Sequence, residues 1–235
     1  MAEPFYEVVG FDADDTLWHN EDLFDGTQKR FVELLAPYHD PEWIASRLYS
    51  TELANLRYFG YGVKSYTLSM VETAIELTEG RIGGEEVGRI MQWGKDMLQA
   101  PVRLLDGVEE VLRGLASERR LLLVTKGDLF DQENKIARSG LADLFTWIEI
   151  VSDKTPAVYG ALFAKHGIEP GRFLMVGNSP NSDIAPVIEA GGRALRVPYH
   201  TTWAHEEGDA GDFPVLEEMA QLPAWLAAEE AALGG

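Results

Sequence analysis

Asp12, Asp14 and Asp15 lie within four consecutive positions and directly follow a short apolar run. In extended backbone, Asp12 and Asp14 are two positions apart and can point to the same side. Two carboxylates that share a site force one of them to stay protonated unless a divalent cation neutralises their charge. Mg²⁺ prefers oxygen ligands, and a chain without cysteine offers little for zinc. The spacing therefore predicts a Mg²⁺ site here, whereas Asp15 is expected to cap a helix or to lie at the surface.

Polar side chains also stand where other apolar runs end. Thr125 ends "LLLVT", Lys154 lies in "VSDKTP", and Asn178 and Asp183 lie in "VGNSPNSD". In open α/β sheets, ligands bind just outside the carboxyl ends of the strands, so these groups are expected at one sheet edge. A carboxylate nucleophile, a proton-passing carboxyl, a hydroxyl, an ammonium and further metal ligands together describe phosphoryl transfer through an aspartyl phosphate.

The elements that must position these groups follow an alternating pattern. Short apolar runs of the kind found in buried parallel strands are Glu7 to Phe11, Leu121 to Thr125, Ile148 to Val151, Phe173 to Val176 and Ala194 to Val197. From residue 106 onward they alternate with helical segments, as in βαβ units. These segments are Gly107 to Ala116 behind Asp106 as a cap, Leu129 to Ser139 behind Asp128, Pro156 to Lys165, and Ser182 to Ala190.

The stretch between the first and second strands has a different pattern, because its apolar positions recur at helical spacing. Asp40 followed by Pro41 is typical of a helix start, and residues 58–62 and 80–84 are predicted breaks, so about four helices are expected. Near the other end of the chain, the Ala- and Glu-rich segment Leu222 to Leu233 is predicted to be a surface helix.

These patterns predict an α/β fold. A Rossmann-like three-layer core with a central parallel sheet would contain residues 1–18 and 102–235. An inserted α-helical cap domain would contain residues 19–101.

Composition excludes several classes of function. The chain has 20 Lys and Arg against 39 Asp and Glu, a net charge of −19, which opposes binding to nucleic acid or to an anionic membrane surface. No apolar run approaches the roughly 20 residues that a membrane span needs. The first apolar run is short and follows no basic residue, so a secretory signal is not expected and the predicted location is cytoplasmic. The oligomeric state is not predicted.

In order and context, these motifs resemble those of the haloacid dehalogenase (HAD) superfamily. The resemblance covers nearly the whole chain and is strongest to the phosphatase branch, whose members have an α-helical, C1-type cap after the first motif. The four motifs of the family are matched in turn by Asp12, Asp14 and Thr16; by Thr125; by Lys154 with Pro156; and by residues 177–183.

The resemblance implies a role for each matched residue in catalysis. Asp12 would be the nucleophile that accepts the phosphoryl group. Asp14 would protonate the leaving alcohol and later activate water. Thr125 and Lys154 would bind the phosphate and balance its charge.

The resemblance also implies Mg²⁺ as cofactor, bound by Asp12, by the backbone carbonyl of Asp14 and by Asp183. Asn178 stands where an aspartate is usual in the family, so it is expected as a nearby or a direct ligand. Lys126 stands where the family often has Asn, and is expected to place a further cation near the phosphate.

The function predicted on this basis is Mg²⁺-dependent hydrolysis of a small phosphomonoester of the nucleotide or sugar phosphate type. Alternatives with the same fold are a 2-haloacid dehalogenase, against which Asp14 argues, a phosphomutase, and a non-catalytic binding protein. Fold-level resemblance does not name the substrate.

Overall fold

A five-stranded parallel sheet forms the centre of the fold in the computed structural model, which describes residues 4–201, 203–206, 208 and 211–233. Its strands are β1 (Val8–Phe11), β2 (Arg120–Lys126), β3 (Trp147–Val151), β4 (Phe173–Gly177) and β5 (Arg193–Arg196). They are ordered β3-β2-β1-β4-β5, so the first strand lies in the middle. The predicted α/β fold with a central parallel sheet is confirmed.

The apolar runs become strands because both faces of the sheet are covered. Val9 and Phe11 of β1 pack in one apolar cluster, whereas the alternate residue Val8 packs in another on the opposite face. Leu123 and Leu122 of β2 divide between the same two clusters. This burial on both sides explains why the strands are continuous apolar runs rather than alternating ones.

Helices provide the outer layers. They are α5 (Val108–Ala116), α6 (Leu129–Ser139), α7 (Pro156–His166), α8 (Ala185–Glu189) and α9 (Leu222–Leu233). Leu112 of α5 and Leu226 of α9 pack on the face of Phe11, whereas Phe163 of α7 and Val187 of α8 pack on the face of Val8. The sheet is thus the middle of three layers.

Two local predictions in this region were wrong. Asp106 does not cap α5, because the cap position is taken by Gly107 in the left-handed region (φ 75°) and no side chain bonds the first turn. The segment after β4 is not one α-helix but a π-helical turn, Pro180–Ile184, that leads into α8. By contrast, Asp128 caps α6 as predicted, since its Oδ1 accepts a hydrogen bond from Asp131 N at 3.0 Å.

A second group of helices lies between β1 and α5 in the chain. It consists of α1 (Glu21–Leu35), α2 (Pro41–Phe59), α3 (Val63–Leu77) and α4 (Gly84–Gln99). Asp40 caps α2, with its Oδ1 2.9 Å from Trp43 N, and Pro41 takes the first position as predicted. Phe31, Leu48 and Ile90 are fully buried in a separate apolar cluster of these helices.

The chain divides into two compact units. One contains Met1–Glu21, Val102–Lys126 and Gln132–Gly235, and the other contains Asp22–Pro101 and Gly127–Asp131. That these units act as a catalytic core and a cap stays a prediction. Among the described residues, no helix combines the length and apolar character needed to cross a membrane.

An ion-pair group on the edge strand β3 gives a first test of the fold. Glu149 Oε1 lies 2.7 Å from Lys165 Nζ and 2.6 Å from His166 Nε2 of α7. Burial raises the pKa of Glu149, but the two basic partners outweigh it and hold the pKa below its usual value. A carboxyl with a lowered pKa adds stability above its unfolded pKa and loses it as the pH falls through its folded pKa.

We therefore expect Glu149→Gln to lower the free energy of unfolding by about 1 kcal/mol at neutral pH. The difference between wild type and variant should shrink as the pH falls below the ordinary glutamate pKa of about 4.3. Urea denaturation across this pH range measures it. A difference that does not change with pH would contradict the ion-pair assignment.

Candidate active site

The first motif lies in a tight turn at the carboxyl end of β1. Asp12 N continues the hydrogen bonding between β1 and β4 and donates to Val176 O at 3.0 Å. The chain then turns, so that Leu17 N donates to Ala13 O at 2.8 Å. This places the Asp12 side chain at the end of the central strand, where the two neighbouring parallel strands, β2 and β4, also end.

Three residues predicted for the site meet in one buried ion cluster. Lys154 Nζ lies 2.5 Å from Asp12 Oδ1 and 2.7 Å from Asp183 Oδ1. The three residues are between 1% and 7% exposed. Asp12 and Lys154, which are 142 positions apart in the chain, thus share one site with Asp183.

The cluster is electrostatically unbalanced, because one ammonium faces two carboxylates. Burial raises the pKa of Asp12 to about 7, against the opposing effect of Lys154 and with a further increase from Asp183. Burial alone would lower the pKa of Lys154, but Asp12 and Asp183 outweigh it and hold that pKa well above its usual value. The lysine stays charged, and the site carries unneutralised negative charge whenever both carboxylates are ionised.

Asp183 is brought to the cluster by the turn after β4. The carboxylate lies so close to Gly177 that a Cβ there would stand 2.3 Å from Asp183 Oδ2, so no larger residue fits. The same Oδ2 accepts a hydrogen bond from Ser179 N at 3.0 Å. This bond fixes the carboxylate and leaves Oδ1 directed at Lys154.

Asn178 and Thr16 also belong to this neighbourhood. Thr16 Oγ1 lies 3.0 Å from Asp12 Oδ2 and 3.3 Å from Asn178 Oδ1. Asn178 is 8% exposed, and the Thr16 hydroxyl links its amide oxygen to the Asp12 carboxylate. Its role as a direct or nearby metal ligand stays a prediction.

The Asp14 side chain has a different set of partners. Lys135 Nζ lies 2.7 Å from both of its carboxylate oxygens, and Trp18 Nε1 donates to Oδ1 at 2.7 Å. Burial raises the pKa of Asp14, but Lys135 and the hydrogen bonds to Gln132 and Trp18 outweigh it, so the pKa lies below its usual value. In this arrangement Asp14 is ionised.

Thr125 and Lys126, two of the three residues predicted to bind phosphate, also have defined partners. Thr125 is 1% exposed, and its Oγ1 accepts a hydrogen bond from Gln132 Nε2 at 2.9 Å. Lys126 Nζ lies 2.8 Å from Ser182 Oγ and is ion-paired with Glu206. The ammonium of Lys126 therefore has a carboxylate partner of its own, and its role toward phosphate stays a prediction.

Asp15 is buried and lies outside the ion cluster. Its backbone takes the left-handed conformation (φ 63°), and its Oδ1 accepts hydrogen bonds from Asn20 N and Glu21 N at 2.9 and 3.0 Å. It therefore caps the start of α1, one of the two outcomes expected from the sequence. Burial raises its pKa to about 8.

Three residues of this region were missed by sequence reasoning: Gln132 and Lys135 on α6, and Glu206 after β5. Gln132 and Lys135 are one turn apart on the helix that follows Thr125, a spacing that places them on one face. That spacing could have indicated from the sequence that both side chains face the same neighbour. For Glu206 the sequence carried none, because its partners Lys126, Ser179 and Ser182 lie 24 to 80 positions away.

The donor set fits a hard divalent cation. The described residues contain no group of three or more His, Asp or Glu arranged for a metal, but Asp12 and Asp183 supply two convergent carboxylates beside an amide oxygen. Mg²⁺ is commonly bound by one or two carboxylates and keeps several waters. The unneutralised charge of the cluster favours the same ion.

Comparisons with known proteins place this geometry in a family. A model of haloacid dehalogenase-like hydrolases matches residues 6–191. N-acylneuraminate-9-phosphatase from Mus musculus is 27% identical in an alignment 238 residues long that covers 93% of each chain. A crystal structure of a haloacid dehalogenase-like family hydrolase from Xanthomonas campestris is 40% identical, with a TM-score of 0.87, over 99% of this chain and 97% of that one.

A predicted phosphoglycolate phosphatase from Haemophilus somnus is 19% identical with a TM-score of 0.62, and so shares the fold. The chain belongs to the haloacid dehalogenase-like hydrolases. The resemblance drawn from its motifs is confirmed, and the protein is an enzyme of the hydrolase class.

Removing the cation of the buried cluster tests its geometry. Lys154→Met would leave Asp12 and Asp183 facing each other without a counter-charge, so we expect the free energy of unfolding to fall by about 3 kcal/mol in metal-free buffer. Lys165→Met removes a lysine that is 60% exposed and should cost less than about 1 kcal/mol. Urea denaturation of both variants measures the contrast. Equal losses would contradict a buried ion cluster.

Proposed function

We propose that the protein is a Mg²⁺-dependent phosphatase that hydrolyses a small phosphomonoester through an aspartyl phosphate on Asp12. The convergence of Lys154 Nζ on Asp12 and Asp183 at the carboxyl edge of the sheet carries this proposal. The curated relatives of Mus musculus and Homo sapiens, both named N-acylneuraminate-9-phosphatase, support a phosphate ester as substrate.

The metal would be held by the carboxylates of Asp12 and Asp183, the backbone carbonyl of Asp14 and the amide oxygen of Asn178. Bound Mg²⁺ supplies charge neutralisation and polarises the phosphate. It would also favour the ionised, nucleophilic form of Asp12, whose pKa burial otherwise raises to about 7.

In the first step, a carboxylate oxygen of Asp12 attacks phosphorus. A bond forms between this oxygen and phosphorus, and the bond from phosphorus to the ester oxygen breaks. The ester oxygen takes a proton from the protonated form of Asp14 and leaves as an alcohol. Lys154 and the Thr125 hydroxyl bind the phosphate oxygens and stabilise the charge on them.

In the second step, water attacks phosphorus and gives its proton to the Asp14 carboxylate. The bond between Asp12 and phosphorus breaks, inorganic phosphate leaves, and the Asp12 carboxylate is regenerated. Asp14 is then protonated for the next turnover. The arrangement with Lys135, in which Asp14 is ionised, is the one that this second step requires.

The substrate is a small phosphorylated metabolite in this proposal. The names of the curated relatives favour a sugar phosphate over a nucleotide. An acidic chain can bind such an anion because the metal and Lys154 reverse the potential locally. The cytoplasmic location stays a prediction.

Replacing the nucleophile tests the reaction. Asp12→Asn removes the attacking carboxylate, so Mg²⁺-dependent phosphate release from a panel of phosphorylated metabolites should fall by more than about 10³-fold. Asp25→Asn makes the same chemical change on the exposed face of α1, where Asp25 pairs with Lys29, and should leave the rate unchanged. Full activity of Asp12→Asn would refute the covalent route.

Metal binding is tested without turnover. Asp183→Asn removes one of the two convergent carboxylates, so calorimetry should show Mg²⁺ affinity reduced by at least about tenfold. Asp143→Asn, outside the cluster, is the matched control. Unchanged Mg²⁺ affinity in Asp183→Asn would place the metal elsewhere.

A further inference from the structure

The Gln132 side chain connects two residues that the proposed reaction uses for different purposes. Its Nε2 lies 2.9 Å from Thr125 Oγ1, 3.0 Å from Asp14 Oδ2 and 2.8 Å from Lys126 O. The residue is 2% exposed, so solvent does not compete for these contacts. One neutral amide thus contacts the phosphate-binding hydroxyl and the proton-transferring carboxylate.

This position of Gln132 is costly for folding. Its Oε1 is buried and has no hydrogen-bond partner among the described residues. A buried acceptor without a partner lowers stability, and an apolar residue of the same shape avoids that cost. Packing alone therefore does not explain an amide here.

The direction of the bond to Thr125 has a chemical consequence. Because Gln132 Nε2 donates to Thr125 Oγ1, it occupies an acceptor site of the hydroxyl and leaves the hydroxyl hydrogen for another acceptor. A phosphate oxygen is such an acceptor. The bond to Asp14 Oδ2 restrains the carboxylate through the same nitrogen.

Lys135 holds Asp14 in a different way. It is a cation one helical turn further along α6, and it contacts both carboxylate oxygens at 2.7 Å. Replacing it would change the charge around Asp14 as well as its position. Gln132 is neutral, so its replacement leaves the charges around Asp14 in place and removes only hydrogen bonds, including the one that helps to lower the Asp14 pKa.

We propose that Gln132 is a positioning residue that fixes the Thr125 hydroxyl and the Asp14 carboxylate relative to each other. Phosphate binding and proton transfer are then aligned by a single amide. This inference rests on the proposed function and adds to it a residue outside the four sequence motifs.

The test uses Gln132→Met, which keeps the side-chain length and removes the amide. Kinetics are measured with Mg²⁺ on p-nitrophenyl phosphate and on the sugar phosphate that wild type hydrolyses fastest. The p-nitrophenolate group leaves as an anion and needs no proton, whereas the sugar alcohol needs the proton from Asp14. We expect kcat/KM to fall about 100-fold for the sugar phosphate and about tenfold or less for p-nitrophenyl phosphate.

Gln92→Met is the matched control, because Gln92 also donates an amide hydrogen to a carboxylate, that of Asp96, but on the exposed face of α4. It should leave both kcat/KM values unchanged. A general loss of structure in Gln132→Met would lower kcat/KM equally for both substrates. An equal fall, or no fall, would overturn the inference.

A separate measurement distinguishes this inference from the proposed function. If wild type releases no phosphate from either substrate, the proposed function fails, and a crystal structure of Gln132→Met decides the positioning claim. The inference expects the Asp14 carboxylate or the Thr125 hydroxyl to leave its wild-type position. If the Asp14 and Thr125 side chains both keep their wild-type positions in the variant, the positioning role of Gln132 is overturned.

Discussion

The buried contact of one ammonium with two carboxylates is the constraint on which the rest of the site depends. Charges removed from water are costly unless partners compensate for them, and Lys154 compensates for only one of its two neighbours. The fold accepts this cost at the end of its central strand. Gly177 has no side chain and so leaves room for the Asp183 carboxylate. Ser179 N donates a hydrogen bond to Oδ2 of that carboxylate. A site that is one positive charge short is suited to receive a divalent cation and then a phosphate.

The three crowded acids of the first motif are accommodated in three different ways. Asp12 faces Lys154, Asp14 faces Lys135, and Asp15 accepts backbone N–H groups at the start of α1. Adjacent carboxylates are therefore separated into environments with different acidities. Burial raises the pKa of Asp12 and of Asp15, whereas Lys135 holds that of Asp14 low. Different environments would allow Asp12 and Asp14 to act as the proposed nucleophile and base, while Asp15 caps α1.

The fold and the strand-end residues could be predicted because both depend on local patterns. Buried strands are short apolar runs, and parallel strands bring their carboxyl ends to one edge, so Lys154 and Asp183 were expected near Asp12 without knowledge of any contact. The partners of Asp14 were not expected. Gln132 and Lys135 lie 118 and 121 positions away from it, and only the packing of α6 against the sheet brings them together. The prediction for Asp106 was wrong although it rested on a local pattern. Asp106 is a favourable capping residue, but Gly107 occupies the cap position of α5 in a left-handed turn.

Chemical trapping during turnover would show whether Asp12 carries the phosphoryl group. Wild-type protein is mixed with Mg²⁺ and a hydrolysed sugar phosphate, denatured during turnover and reduced with borohydride, which converts an aspartyl phosphate to homoserine. Mass spectrometry of the peptides then locates the modified residue. We expect homoserine at position 12. Modification of a different aspartate, or none while phosphate is being released, would contradict it.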